Sequence, residues 1–123
     1  MKSNPVGWFE IYVQDMTRAR AFYETVLGTK LESLPSPEVE MMSFPMQQSA
    51  AGAAGALVNM PGFSSGGNST LVYFMCDDCA VEQGRVAAAG GKVEKPKMSI
   101  GEYGFISLVV DTEGNMIGLH SQK

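Results

Sequence analysis

The sequence predicts an α+β fold in which one βαβββ unit is used twice. Three observations carry this. Asp15, Gly28, Lys30 and Glu32 are echoed 62 residues later by Asp77, Gly90, Lys92 and Glu94. Each copy opens with an apolar run, Trp8-Phe9-Glu10-Ile11-Tyr12-Val13 in the first and Thr70-Leu71-Val72-Tyr73-Phe74-Met75-Cys76 in the second. An amphipathic stretch separates each run from its closing glycine and charged strand. Two copies of this length point to two similar halves of one small fold; a solenoid needs three or more units. The expected organisation is a single domain over 1–123, with repeats at about 6–60 and 70–121.

Residues 7–13 read as a strand with two usable faces. Trp8, Glu10 and Tyr12 share one side, and the apolar Phe9, Ile11 and Val13 share the other, which should pack on a helix. Asp15 or Thr17 can cap that helix by accepting a backbone N–H. Ala19, Phe22, Tyr23 and Val26 recur at i, i+3, i+4 and i+7 and form one apolar stripe. Gly28 ends the helix, because glycine readily takes the left-handed cap conformation. Strands are expected at Lys30 to Leu34, Val39 to Met46 and Gly55 to Met60. Pro35-Ser36-Pro37 is the first turn between them, and Gln47 to Ala54 is a loop.

Pro61 to Ser69 is rich in glycine and serine and reads as a flexible surface linker. The second half then repeats the order. A strand is expected at about 70–76, a helix at 79–89 stopping at Gly90-Gly91, and a strand from Lys92 to Lys95 ending at Pro96. Phe105 to Val110 and Asn115 to His120 form a hairpin around Asp111-Thr112-Glu113-Gly114-Asn115, with Gly114 at positive φ.

Composition narrows the function classes. Hydrophobic residues make up 45% and charged residues 18% of 123 residues, the profile of an ordinary globular protein. The net charge is −4 and no Lys/Arg cluster stands out, which argues against nucleic acid or an anionic membrane as partner. Met1 to Pro5 carries no apolar signal core, and no apolar run approaches the roughly 18 residues of a membrane span, so the cytoplasm is the expected compartment.

Cys76 and Cys79 form a Cys-Asp-Asp-Cys tetrad. Redox pairs of this spacing sit at a helix start where the thiol pKa falls. Here Cys76 ends an apolar strand, and the adjacent Asp77 and Asp78 would raise a thiol pKa. A zinc site would need two further ligands. Two reduced, structural cysteines are expected.

With Phe22-Tyr23 and Leu27-Gly28 in the first helix and Asp111 to Ile117 closing the second copy, the chain resembles the vicinal oxygen chelate superfamily. That is the glyoxalase, bleomycin-resistance and extradiol dioxygenase group. The resemblance implies paired βαβββ modules forming a curved, partly open eight-stranded barrel-like sheet around a cleft, commonly in a homodimer. It also implies four cleft-facing positions where His, Gln or Glu hold a divalent ion. Counted from the landmarks, these fall on Trp8, Leu71, Gly118 and a position near Ala56, none of which has a coordinating side chain. No metal and no other cofactor is therefore expected.

The chain has one histidine, His120. It lies two residues after Gly118 on the same strand face, and Glu10 lies two after Trp8. They are the candidate catalytic residues, as a displaced weak metal site or as an acid/base pair; the competing reading is a solvated His120. Glu10 itself is a carboxylate in an apolar and aromatic strand, so its face is a wet cleft or Glu10 has a partner. The expected ligand-binding set is Trp8, Glu10, Tyr12, Tyr73, Met75, Met116 and His120. Nine methionines are many for this length, and Met41, Met42, Met46 and Met60 lie on or near the lining strands. The expected function is binding of a small apolar or aromatic molecule in a dimer cleft without the usual metal. The alternatives are a glyoxalase-type lyase, isomerase or dioxygenase with a displaced Glu10/His120 site, and an interaction module with no small ligand.

Overall fold

A computed structural model describes residues 4–37, 39–47 and 49–123. The expectations for residues 1–3, and those that touch Glu38 and Gln48, lie outside the described residues.

The first strand, β1 (Trp8–Tyr12), alternates as its sequence demands: Trp8 and Glu10 are exposed, while Ile11 and the following Val13 are buried. Helix α1 (Met16–Leu27) starts at Asp15, whose carboxylate accepts the Arg18 N–H at 3.0 Å. Its stripe of Ala19, Phe22, Tyr23 and Val26 is fully buried. Gly28 closes it at φ 64° and ψ 41°. Strands β2 (Glu32–Ser33), β3 (Glu40–Ser43) and β4 (Ala54–Asn59) complete the first unit. The second unit comprises β5 (Tyr73–Met75), α2 (Cys79–Gln83), β6 (Lys92–Ser99), β7 (Phe105–Val110) and β8 (Met116–Ser121).

The repeat read from sequence is a repeat of topology. One four-stranded sheet runs β1-β4-β3-β2 and the other β5-β8-β7-β6. In each, the first and last strands of the unit pair parallel and the other neighbours antiparallel. The eight strands thus divide between two sheets that do not close into a barrel. Their helix-facing sides share one aromatic cluster. Phe74 of the second unit lies 5.9 Å from Phe9, 5.9 Å from Tyr23 and 5.4 Å from Phe44 of the first, centroid to centroid. None of the described helices is long and apolar enough to cross a membrane.

Several elements differ from their sequence expectation, each for a local reason. Strand β2 is only two residues long, since the Leu31 N–H donates to the Glu24 carboxylate at 2.9 Å instead of to a ladder. Strand β3 stops before Pro45, which has no N–H to give. Strand β5 begins at Tyr73, although Val72 already accepts the Gly118 N–H at 2.9 Å. The second helix ends at Gln83 instead of 89, and four-residue turns such as Gly90 N–H to the Ala87 carbonyl carry the chain onward. Its cap is Asp78, which accepts the Ala80 N–H at 3.0 Å, so the two caps are 63 residues apart and Asp77 is not one of them. Strand β6 runs through Pro96 to Ser99. This edge strand tolerates proline because its register shifts between Val93 and Lys95 and again between Lys95 and Met98.

The β7–β8 hairpin turn clamps the two units together. Asp111, 4% exposed, accepts the Tyr23 hydroxyl at 2.6 Å and the N–H groups of Glu113 and Asn115 at 2.8 Å each. Burial first, then the Asp111 carboxylate, holds the Tyr23 phenol well above its ordinary pKa. Glu113 reaches the start of α1, accepting the N–H groups of Gln14 and Asp15 at 2.9 and 3.0 Å and both ends of the Arg18 guanidinium fork. At the other end of α1, Arg85 donates to the Val26 carbonyl at 3.0 Å. The second unit therefore caps α1 at both ends, with charge signs that suit the helix dipole only at the two termini where they stand.

Candidate functional site

The open face of the first sheet carries a hydrogen-bonded triad from β1. The Trp8 indole Nε1 donates to one Glu10 oxygen at 3.2 Å, and the Tyr12 hydroxyl donates to the other at 2.9 Å. Period-two alternation puts the three side chains on one side, so each neighbour of Glu10 is two residues away. The carboxylate is thus held upright between an indole and a phenol. The hydrogen bond to Glu10, with some burial, raises the Tyr12 pKa. Tyr12 also stacks on Phe63 with centroids 5.5 Å apart and 27° between planes.

Beside this triad lies a cleft of about 270 Å³ between the two units, lined by Glu10, Tyr12 and Met116 among others. Its remaining wall is the linker, which is pinned to the second unit. Ser65 Oγ donates to the Glu113 carbonyl at 2.6 Å, and the Gly66 N–H donates to Asn115 Oδ1 at 2.7 Å. The Asn68 amide donates to the Met116 carbonyl at 2.8 Å and accepts the Met116 N–H at 3.0 Å. One side chain thereby pairs with Met116 as a neighbouring strand would. No periodic signal marks this role, since an asparagine after two glycines reads as a generic turn.

The other predicted site residues sit elsewhere. Tyr73 and Met75, 45% and 69% exposed, line a larger apolar groove of about 500 Å³ floored by Phe9, Phe44 and Phe74. His120 pairs with Met75 in register, and its Nε2 lies 2.6 Å from the Tyr103 carbonyl, to which it donates. The hydrogen bonds of Glu10 stay within β1, while that of His120 runs to the 3-10 turn Gly101–Tyr103. Of the methionines, Met42 is in the core, Met41 is half-buried, Met46 is 52% exposed, and Met60 lines a small surface pocket with Phe63.

The donor set does not fit a chelated divalent ion. Ala56 is fully buried beside Glu10 on the adjacent strand, with no atoms to offer. Gly118 pairs with Tyr73, whose ring occupies the space where any Cβ at 118 would stand. A carboxylate could not be placed there without moving the ring. Among the described residues, no group of three or more His, Cys, Asp or Glu side chains could hold a metal ion.

The cysteines are free, with Cys76 half-buried at the end of β5 and Cys79 buried as the first residue of α2. Burial, followed by the nearby Glu82 carboxylate, pushes the Cys76 thiol up to about 12. The thiolate is the reactive species. Native protein at pH 8 is expected to alkylate slowly with iodoacetamide, and urea-unfolded protein to alkylate rapidly at both cysteines. Fast labelling of Cys76 in the folded state would show an activated thiol instead.

Comparison with known proteins agrees with the topology. Residues 6–45 match the family of bleomycin resistance protein-like N-terminal domains. A Mycobacterium tuberculosis protein described as "Putative glyoxylase CFP32" is 26% identical over 115 residues, covering 92% of this chain. The chain spans 44% of that relative's length. Glyoxalase I from Zea mays superposes with a TM-score of 0.75 at 21% identity, covering 96% of this chain and 46% of the maize chain. A glyoxylase/bleomycin resistance protein/dioxygenase domain from Frankia sp. EAN1pec superposes with a TM-score of 0.73 at 15% identity, covering 98% of both chains. At such identities the superpositions establish the fold and leave activity open.

Proposed function

We propose that this chain is a vicinal oxygen chelate protein that binds a small apolar or aromatic molecule on the Trp8–Glu10–Tyr12 face without a divalent ion. The observation that carries this reading is the pairing of an open aromatic face with non-coordinating residues at the ligand positions. Trp8 is 39% exposed, and the cleft beside it mixes apolar walls with a few fixed polar groups. Neutral aromatic probes are expected to perturb the emission of Trp8, the only tryptophan in the chain. The affinity should be the same with and without EDTA. A probe response that disappears on chelation would sink the metal-free reading.

Completion of the site by a second copy belongs to the same proposal. Exposed Trp8, Tyr73 and Met75 stand on the open sheet faces, where a two-fold partner would cover them and create two equivalent clefts. Light scattering is expected to report a dimer at micromolar concentration, and a monomer there would count against the shared cleft.

The name of the mycobacterial relative favours a second reading, a glyoxalase-type lyase or isomerase using Glu10 and His120. Such an enzyme must polarise two neighbouring substrate oxygens. Trp8, Ala56, Leu71 and Gly118 provide no ligand for an ion that would do so. The hemithioacetal of methylglyoxal and glutathione is therefore expected to give no S-lactoylglutathione with added nickel or zinc. Turnover at an ordinary enzyme rate would replace the binding reading with the catalytic one.

A further inference from the structure

We propose that the molecule held on the Trp8–Glu10–Tyr12 face is an organic cation, an ammonium or guanidinium group joined to an apolar or aromatic body. The inference rests on the binding reading above and specifies its ligand. Among the described residues Glu10 has no counter-ion. The four ion pairs among the described residues are Arg18–Glu113, Arg20–Glu24, Lys92–Glu94 and Lys97–Asp78. No lysine or arginine occurs on β1, β3, β4, β5, β7 or β8.

The carboxylate is also prepared for a partner. Each oxygen takes one hydrogen bond from an aromatic neighbour and keeps lone-pair capacity for a ligand N–H. Those two bonds fix its orientation between the two rings instead of letting it turn freely. Beside it stand the indole of Trp8 and the phenol ring of Tyr12, the latter stacked on Phe63, which is 53% exposed. Aromatic faces attract cations, most strongly where water is partly excluded. A neutral ligand covering this face would leave the Glu10 charge unpaired against apolar surface, and an anionic one would meet repulsion. Only a cation satisfies the carboxylate and the rings together.

The test uses 2-phenylethylamine, its neutral analogue 2-phenylethanol and the anion phenylacetate, each titrated against Trp8 emission. The amine is expected to bind roughly tenfold more tightly than the alcohol, the sum of one exposed ion pair and one cation–π contact. Phenylacetate should bind more weakly than either. Glu10→Gln keeps the side-chain size on an exposed position and should cut the preference to the roughly two- to threefold that a cation–π contact alone supplies. Tyr12→Phe keeps the ring but frees one carboxylate oxygen, and should reduce the preference severalfold. Thermal melting of both variants verifies that they fold. Equal binding of amine and alcohol by the parent protein, or a preference that Glu10→Gln leaves undiminished, would overturn the cation while leaving an apolar ligand in place. No response of Trp8 to any probe would remove the ligand face itself, and the cation with it.

Discussion

Replacing Glu113 with alanine is expected to cost the fold about 3 kcal/mol, or roughly 10 °C in Tm. Its side chain is fully buried and accepts from Gln14, Asp15, Thr112 and both ends of the Arg18 fork. Burial alone would raise its pKa. The Arg18 hydrogen bonds, then those from the Gln14 and Asp15 N–H groups and Thr112, overcome this and bring it to about 2, against 4.5 unperturbed. The folded carboxyl thus holds its proton less tightly than the unfolded one. Its stabilisation is complete above pH 4.5 and is lost as pH falls through 2. Urea unfolding should show Glu113→Gln well below the parent at pH 7 and close to it at pH 2. An identical gap at both pH values would mean the carboxylate charge is irrelevant. Arg18→Ala should be milder, because Arg18 is 52% exposed and its loss leaves Glu113 with its backbone and hydroxyl donors.

Gly104→Ala is expected to be as damaging or worse. Gly104 has φ 104° and ψ −133°, a conformation that only glycine adopts without strain of about 1–3 kcal/mol. An added Cβ would also collide with the Ser121 carbonyl oxygen, which is backbone and cannot rotate away. The turn it closes brings the Tyr103 carbonyl to His120 and the Ile100 N–H to the Gly104 carbonyl at 2.8 Å. Gly101→Ala is the control, since Gly101 also has positive φ but faces open space. Hydrogen exchange of β8 should rise far more in Gly104→Ala than in Gly101→Ala. Equal behaviour of the two would remove the collision from the account.

Local pattern was enough for much of this protein. Alternation in Trp8 to Val13, the i, i+3, i+4, i+7 stripe of α1 and the left-handed stop at Gly28 each depend on residues within one turn or one strand. So does the adjacency of Trp8, Glu10 and Tyr12, because strand period alone puts them side by side. Duplicated order made the paired topology legible as well, even though the true cap is Asp78 and the helix behind it is short. Propensity failed where a distant group took over a backbone donor, as Glu24 does at Leu31, or where an edge position excused a proline, as at Pro96.

What only the tertiary structure decided are the contacts between residues far apart in the chain. Glu113 lies 98 residues from Asp15 and Arg85 lies 59 from Val26, so no sequence window reveals that the second unit caps both ends of α1. The same holds for the linker. Its glycine and serine content is that of a mobile segment, yet Asn68 and Gly66 find partners 48 and 49 residues away and become a wall of the cleft. Folding also separated residues that the strand faces had grouped, with Glu10 and Met116 at one cleft, Tyr73 and Met75 at another, and His120 tied to Tyr103. A strand period assigns a face to each side chain, and only the packing of two sheets assigns that face its neighbours.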